Sequence, residues 1–307
     1  MRSRRDVLES GLATAAVLLA GGSARAAVGA ATELPLITKT IPSTGEKVPA
    51  VGLGTDKFRS GEQDAIQAEI KRMREMGGTV IDTAAAYGDS EAIIGDALAA
   101  LGVRDRMFIA TKLVNRSSSS TREGEDSFAR SLARLKTQKV DLLQVHNLEG
   151  VEAMLPLMQK WKQAGKIRYF GITTSREMQH APMLEYMRQY PLDFVQVDYS
   201  LADREAASSV LPLAFERRIA VLANVPFGYG SVLRQAQARK LPDWAADIDV
   251  TSWSQLLIKY VISHPAVTCC IPGSTKLEHL EENQRAGRGK LPDAALRKKM
   301  EEAWDKG

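Results

Sequence analysis

Between residues 51 and 272, short apolar runs alternate with longer segments whose apolar positions repeat at helical spacing. The runs are VGLG, TVIDTA, MFIATK, VDLLQVH, YFGITT, FVQVDY, AVLANVP and VTCCIP; stretches such as EQDAIQAEIKRMREMG and SEAIIGDALAALG lie between them. A short continuous apolar run predicts a strand buried on both faces, and a 3.6-residue apolar period predicts a helix with one packed side. Gly77-Gly78 and Gly102 stand where helix C-caps belong. Eight strand–helix units over about 250 residues predict an α/β fold, the (β/α)8 TIM barrel. A doubly wound open sheet is disfavoured, because no G-x-G-x-x-G follows the first strand. Ahead of the first run, LITKTIPSTGEKVPA places two extended pieces about a Ser-Thr-Gly turn and predicts an N-terminal β-hairpin. No proline-rich linker or repeat divides residues 27–307, which read as one domain.

Residues 1–26 break this pattern. Ser3-Arg4-Arg5-Asp6 is followed by an uncharged run of small and apolar residues from Leu12 to Gly22 and then by Ala24-Arg25-Ala26. A basic start, a short apolar segment and an A-x-A end fit a secretory signal. The paired arginines resemble a twin-arginine export signal, whose machinery carries proteins already folded. The expected location is therefore periplasmic or secreted, after signal removal. The apolar run is too short to span a membrane stably. Arg2, Arg4, Arg5 and Arg25 against Asp6 and Glu9 supply half of the formal net charge of +4. The basic excess left to the remainder is small, and no basic run is interleaved with aromatics, which sets nucleic acid aside. The two cysteines, Cys269 and Cys270, are neighbours in one apolar run. Adjacent strand residues face opposite ways, so they read as apolar fillers rather than as a disulfide.

A barrel of this kind places its chemistry where strands reach their C-terminal ends. The second run ends at Asp82 with Tyr87 just beyond it, the third at Lys112 and the fourth at His146. Each alone has an ordinary explanation: a helix cap, a lysine reaching water, a hydrogen-bonded core histidine. Their placement on successive strands points instead to one constellation. Lys112 supplies the cation that a buried Asp82 needs. Beside Tyr87 the same ammonium favours the phenolate, and the expectation is a phenol lowered towards working range. His146 can hydrogen-bond a substrate oxygen. Such a set can protonate a carbonyl oxygen but holds no hydride, so a cofactor is required. The four histidines are scattered, without metal-ligand spacing.

These residues resemble the aldo-keto reductase family. VGLGT, IDTAAAYG-x-SE, IATK, DLLQVHN, QVDYSL and the IPGS segment with EEN look like its successive signatures, in order, from Val48 to Asn283. The resemblance implies reduction of aldehydes or ketones with NADPH, less often NADH. It makes Tyr87 the proton donor, Lys112 and Asp82 its tuning pair, and His146 the group that orients the carbonyl. For the cofactor it implies Gly54 and Thr55 of VGLGT, Gln196 on the carboxamide, and Thr173-Thr174 where the family usually has Ser-Asn. Asn224 stands where many members have an aromatic that stacks on the nicotinamide. At the adenosine end it implies Gly273, Ser274, Thr275 and Lys276 for phosphate, with Glu282 and Asn283 on adenine. Gly273 and His279 replace the family's lysine and arginine for the 2′-phosphate, with Lys276 as the compensating cation. The complete tetrad favours chemistry over the alternative, an exported nucleotide-binding barrel with a sensor or interaction role. The substrate class implied is a small carbonyl compound.

Overall fold

The computed structural model describes residues 34–306. The expected export signal, residues 1–26, lies outside the described residues. Thr38–Thr40 (β1) and Lys47–Pro49 (β2) form the expected hairpin, antiparallel, with Gly45 at φ +79° in the left-handed region that its turn requires. Eight parallel strands follow: Leu53–Gly54 (β3), Val80–Asp82 (β4), Phe108–Leu113 (β5), Val140–Val145 (β6), Ile167–Thr173 (β7), Phe194–Asp198 (β8), Ala220–Asn224 (β9) and Val267–Cys270 (β10). Each strand pairs with the next in sequence. β3 and β10 then meet through parallel bridges at Val51–Cys270 and Gly54–Gly273, which close the sheet into a barrel. Gly52 N donates to Cys270 O at 2.8 Å and Gly54 N to Pro272 O at 3.0 Å across this seam. A Cβ on Gly54 would stand 2.8 Å from the Ile271 carbonyl oxygen, so the close approach needs glycine there.

The helices between the strands are Gln63–Glu75 (α1), Ser90–Leu101 (α2), Arg122–Arg134 (α3), Val151–Gln163 (α4), His180–Gln189 (α5), the pair Glu205–Ser208 (α6) and Val210–Glu216 (α7), Ser231–Gln237 (α8) and Trp253–Ser263 (α9). Leu277–Ala286 (α10) and Ala294–Asp305 (α11) complete the described chain. Gly102, left-handed at φ 62°, caps α2, while Gly77 falls just past the Met76 cap of α1.

The two-residue period of the strands sorts their side chains into two cores. Ile81, Ile109, Leu143, Val145, Ile172, Val195 and Val221 pack outward against the helices. Val80, Phe108, Ala110, Leu142, Tyr169, Phe194 and Leu222 fill the barrel, and Ile41 and Val48 of the hairpin join them as a plug at one end. Cys269 belongs to the inner core and Cys270 to the outer, both free and buried. Continuing the same alternation, Asp82, Lys112, Gln144, Gln196 and Asn224 form a polar layer at the strands' C-terminal ends. That layer is the floor of the site. No helix among the described residues is long and apolar enough to cross a membrane.

Candidate active site

Register carries Lys112 to Asp82. β4 pairs with β5 so that Asp82 stands opposite Ala110, and Lys112 lies one inward position further along. Lys112 Nζ donates to Asp82 Oδ2 at 2.6 Å and to Thr83 O at 2.8 Å. Their side chains are 1% and 3% exposed, so this is an ion pair removed from water. Such a pair is sustained only when each partner compensates the other. Beside it, Gln144 Nε2 donates to Gln196 Oε1 at 2.9 Å, which turns Gln196 Nε2 towards Asp82 Oδ2 at 3.5 Å. Thr55 Oγ1 donates to Asp82 O at 2.9 Å, and Ser90 Oγ to Thr55 Oγ1 at 2.8 Å, pinning the end of β4 to β3 and to α2.

The loop after β4 keeps hydrogen-bonding to β5, with Thr83 N to Ala110 O at 2.9 Å and Ala85 N to Lys112 O at 3.0 Å. A turn from Tyr87 N to Ala84 O then brings the Tyr87 ring over the pair, 4.9 Å from Lys112 Nζ. His146, the first residue after β6, meets the Tyr87 ring edge-on at 5.8 Å between centroids. Burial pushes the Asp82 carboxyl up, and Lys112 opposes the shift. Burial also works against the Lys112 ammonium, but Asp82 and Tyr87 hold it above the usual lysine value, so it stays charged. Burial lowers His146 to about 3, and Lys112 adds to the effect, leaving a neutral imidazole. Tyr87 departs from expectation. Burial raises its phenol above the ordinary value, outweighing the pull of Lys112 in the other direction. The ring is withdrawn from water more than sequence could tell, and the phenol keeps its proton throughout the neutral range.

Above this floor opens a cleft of about 500 Å³, a size suited to a small-molecule or cofactor site. Asp82, Tyr87, His146, Gln196 and Asn224 line it at the strand ends, and Gly54, Thr55, Gly273, Ser274, Thr275 and His279 line the end beside α10. Lys112, within the floor, is covered and does not line the open cleft. The remaining predicted residues sit elsewhere. Thr173 and Thr174 are buried behind the wall: Thr174 Oγ1 donates to Gln179 Oε1 and its carbonyl accepts from Asn224 Nδ2 at 2.9 Å. Ser175 and Arg176 line the cleft in their stead. Lys276 is exposed at the N-cap of α10, where no side chain caps the helix. The Glu282 carboxylate accepts from Ser252, at the start of α9, and from Gln255 Nε2 at 3.1 Å, and Asn283 is buried on α10.

Phe227 and Tyr229 also line the cleft, aromatic faces that sequence reasoning missed. Tyr229 is 73% exposed and lies at φ 53° between two left-handed glycines, Gly228 and Gly230. The only signal for it was the sequence FGYG, a turn without periodicity. Among the described residues no group of side chains could hold a metal ion.

Comparison with known proteins agrees with this geometry. The model of the aldo/keto reductase family matches residues 50–304. The methylglyoxal reductase YeaE of Escherichia coli K12 is 30% identical over 84% of this chain and 92% of its own length. The uncharacterized oxidoreductase YqkF of Bacillus subtilis is 29% identical over 79% of this chain and 88% of its own. In fold, the chain resembles an aldo/keto reductase of Klebsiella pneumoniae solved with NADP and acetate, at a TM-score of 0.75 and 24% identity, over 87% of this chain and 95% of that one. The family match takes in every strand of the barrel and the cleft above it, and the chain belongs to the aldo/keto reductase family.

Proposed function

We propose that the protein reduces aldehyde or ketone carbonyls to alcohols with a nicotinamide cofactor, NADPH in preference to NADH, and that Tyr87 donates the proton. One observation carries this: the buried Lys112–Asp82 pair beneath Tyr87, with a neutral His146 against the same ring, at the floor of an open cleft. The polar atoms present fit a dinucleotide. Asn224 Oδ1 is buried without a partner, and Gln196 Nε2 has only its 3.5 Å contact, an acceptor and a donor suited to a carboxamide. At the other end, the uncapped first turn of α10 offers backbone N–H groups to phosphate, with Ser274 and Thr275 beside it. Lys276 supports the preference for NADPH as the cation of that loop.

When bound, the dinucleotide supplies hydride to the carbonyl carbon. The protein's own groups manage the oxygen. A neutral His146 donates one ring N–H to the carbonyl oxygen and so turns its carbon to the open side of the cleft. Tyr87 holds its proton until negative charge gathers on that oxygen, then gives it up. The Lys112 ammonium stabilises the phenolate left behind, and Asp82 keeps the ammonium charged and in place. The test is single-turnover reduction of a simple aldehyde with bound NADPH, followed by nicotinamide absorbance. Tyr87→Phe keeps the ring and removes the proton, so turnover should fall by at least ~10²-fold while nucleotide binding survives. An unchanged rate would remove Tyr87 from the proposal. A parent protein that binds nucleotide but turns nothing over would favour the sensor alternative.

A further inference from the structure

Helix α1 buries Ile66, Ile70 and Met73, and on the same stripe it buries an acid, Glu69, 1% exposed. Neither carboxylate oxygen has a hydrogen-bond partner. A buried, unpartnered carboxylate is costly and is retained for a reason outside packing. The polar side chain that eases it is Ser274, in the loop between β10 and α10. Yet the Ser274 hydroxyl donates to Lys276 O at 2.9 Å, which leaves the carboxyl wanting. Ser274 also lines the cleft. Glu69 therefore lies beside Ser274, in the loop proposed to face the nucleotide phosphates.

The charges around it give no relief. Glu62, from the start of α1, adds like charge. On α10, the helix that follows the loop, Glu281 is taken by Arg72 at 2.6 Å and by Arg285 at 2.9 Å, and His279 lies 3.9 Å from Glu278. On α2, which also packs on α1, Glu91 pairs with Arg134 at 3.5 Å and Asp96 with Lys136. Burial pushes the Glu69 carboxyl up to about 7, with Ser274 pulling against the shift and Glu62 adding to it. Its charge is thus poised to change under ordinary conditions.

We propose that Glu69 is a positioning residue for the cofactor's phosphates, and that an anion settling on Gly273–Lys276 is bound together with one proton, which passes from solvent to the Glu69 carboxylate. The inference rests on the cleft being a dinucleotide site. Two anions on either side of one serine hydroxyl disfavour each other's charge, so phosphate binding and Glu69 ionisation oppose one another. Once neutral, the acid becomes a donor and can hydrogen-bond to Ser274 Oγ. Only an O–H bond forms, and nothing is oxidised or reduced.

The experiment is calorimetric titration with NADP⁺ near pH 7.5 in two buffers of different ionisation enthalpy, which counts protons without turnover. The wild type should take up a substantial fraction of a proton that Glu69→Gln does not. Between pH 7.5 and 8.5 its affinity should fall by up to about tenfold more than the variant's, since one linked proton gives at most tenfold per pH unit. His279 is a second titratable group at that end of the cleft, so the difference between the two proteins decides, rather than the wild-type profile. Glu69→Met, which fills the volume with an apolar chain, should behave as Glu69→Gln does. Equal proton uptake by wild type and both variants overturns this inference alone. Failure of the wild type to bind NADP⁺ at any pH overturns the dinucleotide reading, and the inference with it.

Discussion

Lys112 holds a full charge inside a barrel, and its removal separates two roles. Lys112→Met keeps the volume and deletes the ammonium. In the proposed reaction Tyr87 would lose the cation that stabilises its phenolate, so turnover should fall about as far as in Tyr87→Phe. Asp82 loses its partner, and breaking a buried pair costs about 3–5 kcal/mol when the remaining group stays charged. That remaining group is an acid whose folded pKa burial already raises. A raised folded value means stability present in acid and lost as pH rises. Denaturant midpoints should show Lys112→Met close to the wild type near pH 5 and well below it near pH 8; a deficit independent of pH would contradict the assignment. The tetrad was legible in sequence because polar residues ended apolar runs. Glu69 was equally visible, at i+3 from Ile66 and one before Ile70, but helical periodicity was read for its apolar members alone. The phenol of Tyr87 was misjudged for another reason: its burial depends on a loop that only the fold positions. Ser175 and Arg176 in place of Thr173 and Thr174 is a shift in where β7 leaves the wall, which composition does not encode.

Helix α2 shows how elements are held together and what their spacing demands. A Cβ on Gly95 would stand 2.2 Å from the Arg134 carbonyl oxygen, so α2 and the end of α3 touch through bare backbone. Gly95→Ala must push the two apart and should cost about 1–3 kcal/mol, as overpacking does. At the end of the same helix, Gly102 is left-handed at φ +62° with nothing within 4 Å of a Cβ. Gly102→Ala should cost about 1–2 kcal/mol from backbone strain alone. Thermal unfolding of both variants, read beside activity, checks the distinction. Gly95→Ala should also disturb Ser90 and Thr55 at the start of α2 and with them the site, whereas Gly102→Ala should leave activity intact. All eight barrel strands and the hairpin were legible, since continuous apolar runs separated by helical periods have few other solutions. Their lengths were not. The VGLG run yields only a two-residue β3, because its pairing with β10 is made by single bridges rather than a continuous ladder.

At the scale of the whole molecule, we propose export in the folded state, on the strength of Arg4-Arg5 ahead of the apolar run and two free cysteines that ask for no oxidising compartment. Mass spectrometry of a periplasmic fraction should find cleavage near Ala26, and replacing both arginines by lysine should abolish export. An intact Met1 in that fraction, or undiminished export of the double variant, would sink the idea. The barrel's seam bears on the same question. Gln284 Nε2 donates to Gly52 O across 232 positions of chain. One bank of the cleft, Gly54 to Lys57, comes from β3 and the other, Ile271 to Thr275, from beyond β10. Contacts so remote in sequence form late, since the entropy of closing a long loop opposes them until neighbouring structure is in place. A dinucleotide lying across both banks would have no site before the ring shuts, and would favour the shut ring by mass action afterwards. Cofactor loading would then double as a certificate of folding: a chain that never closed its ring would reach the transport machinery empty, and a loaded one would arrive already fit to cross.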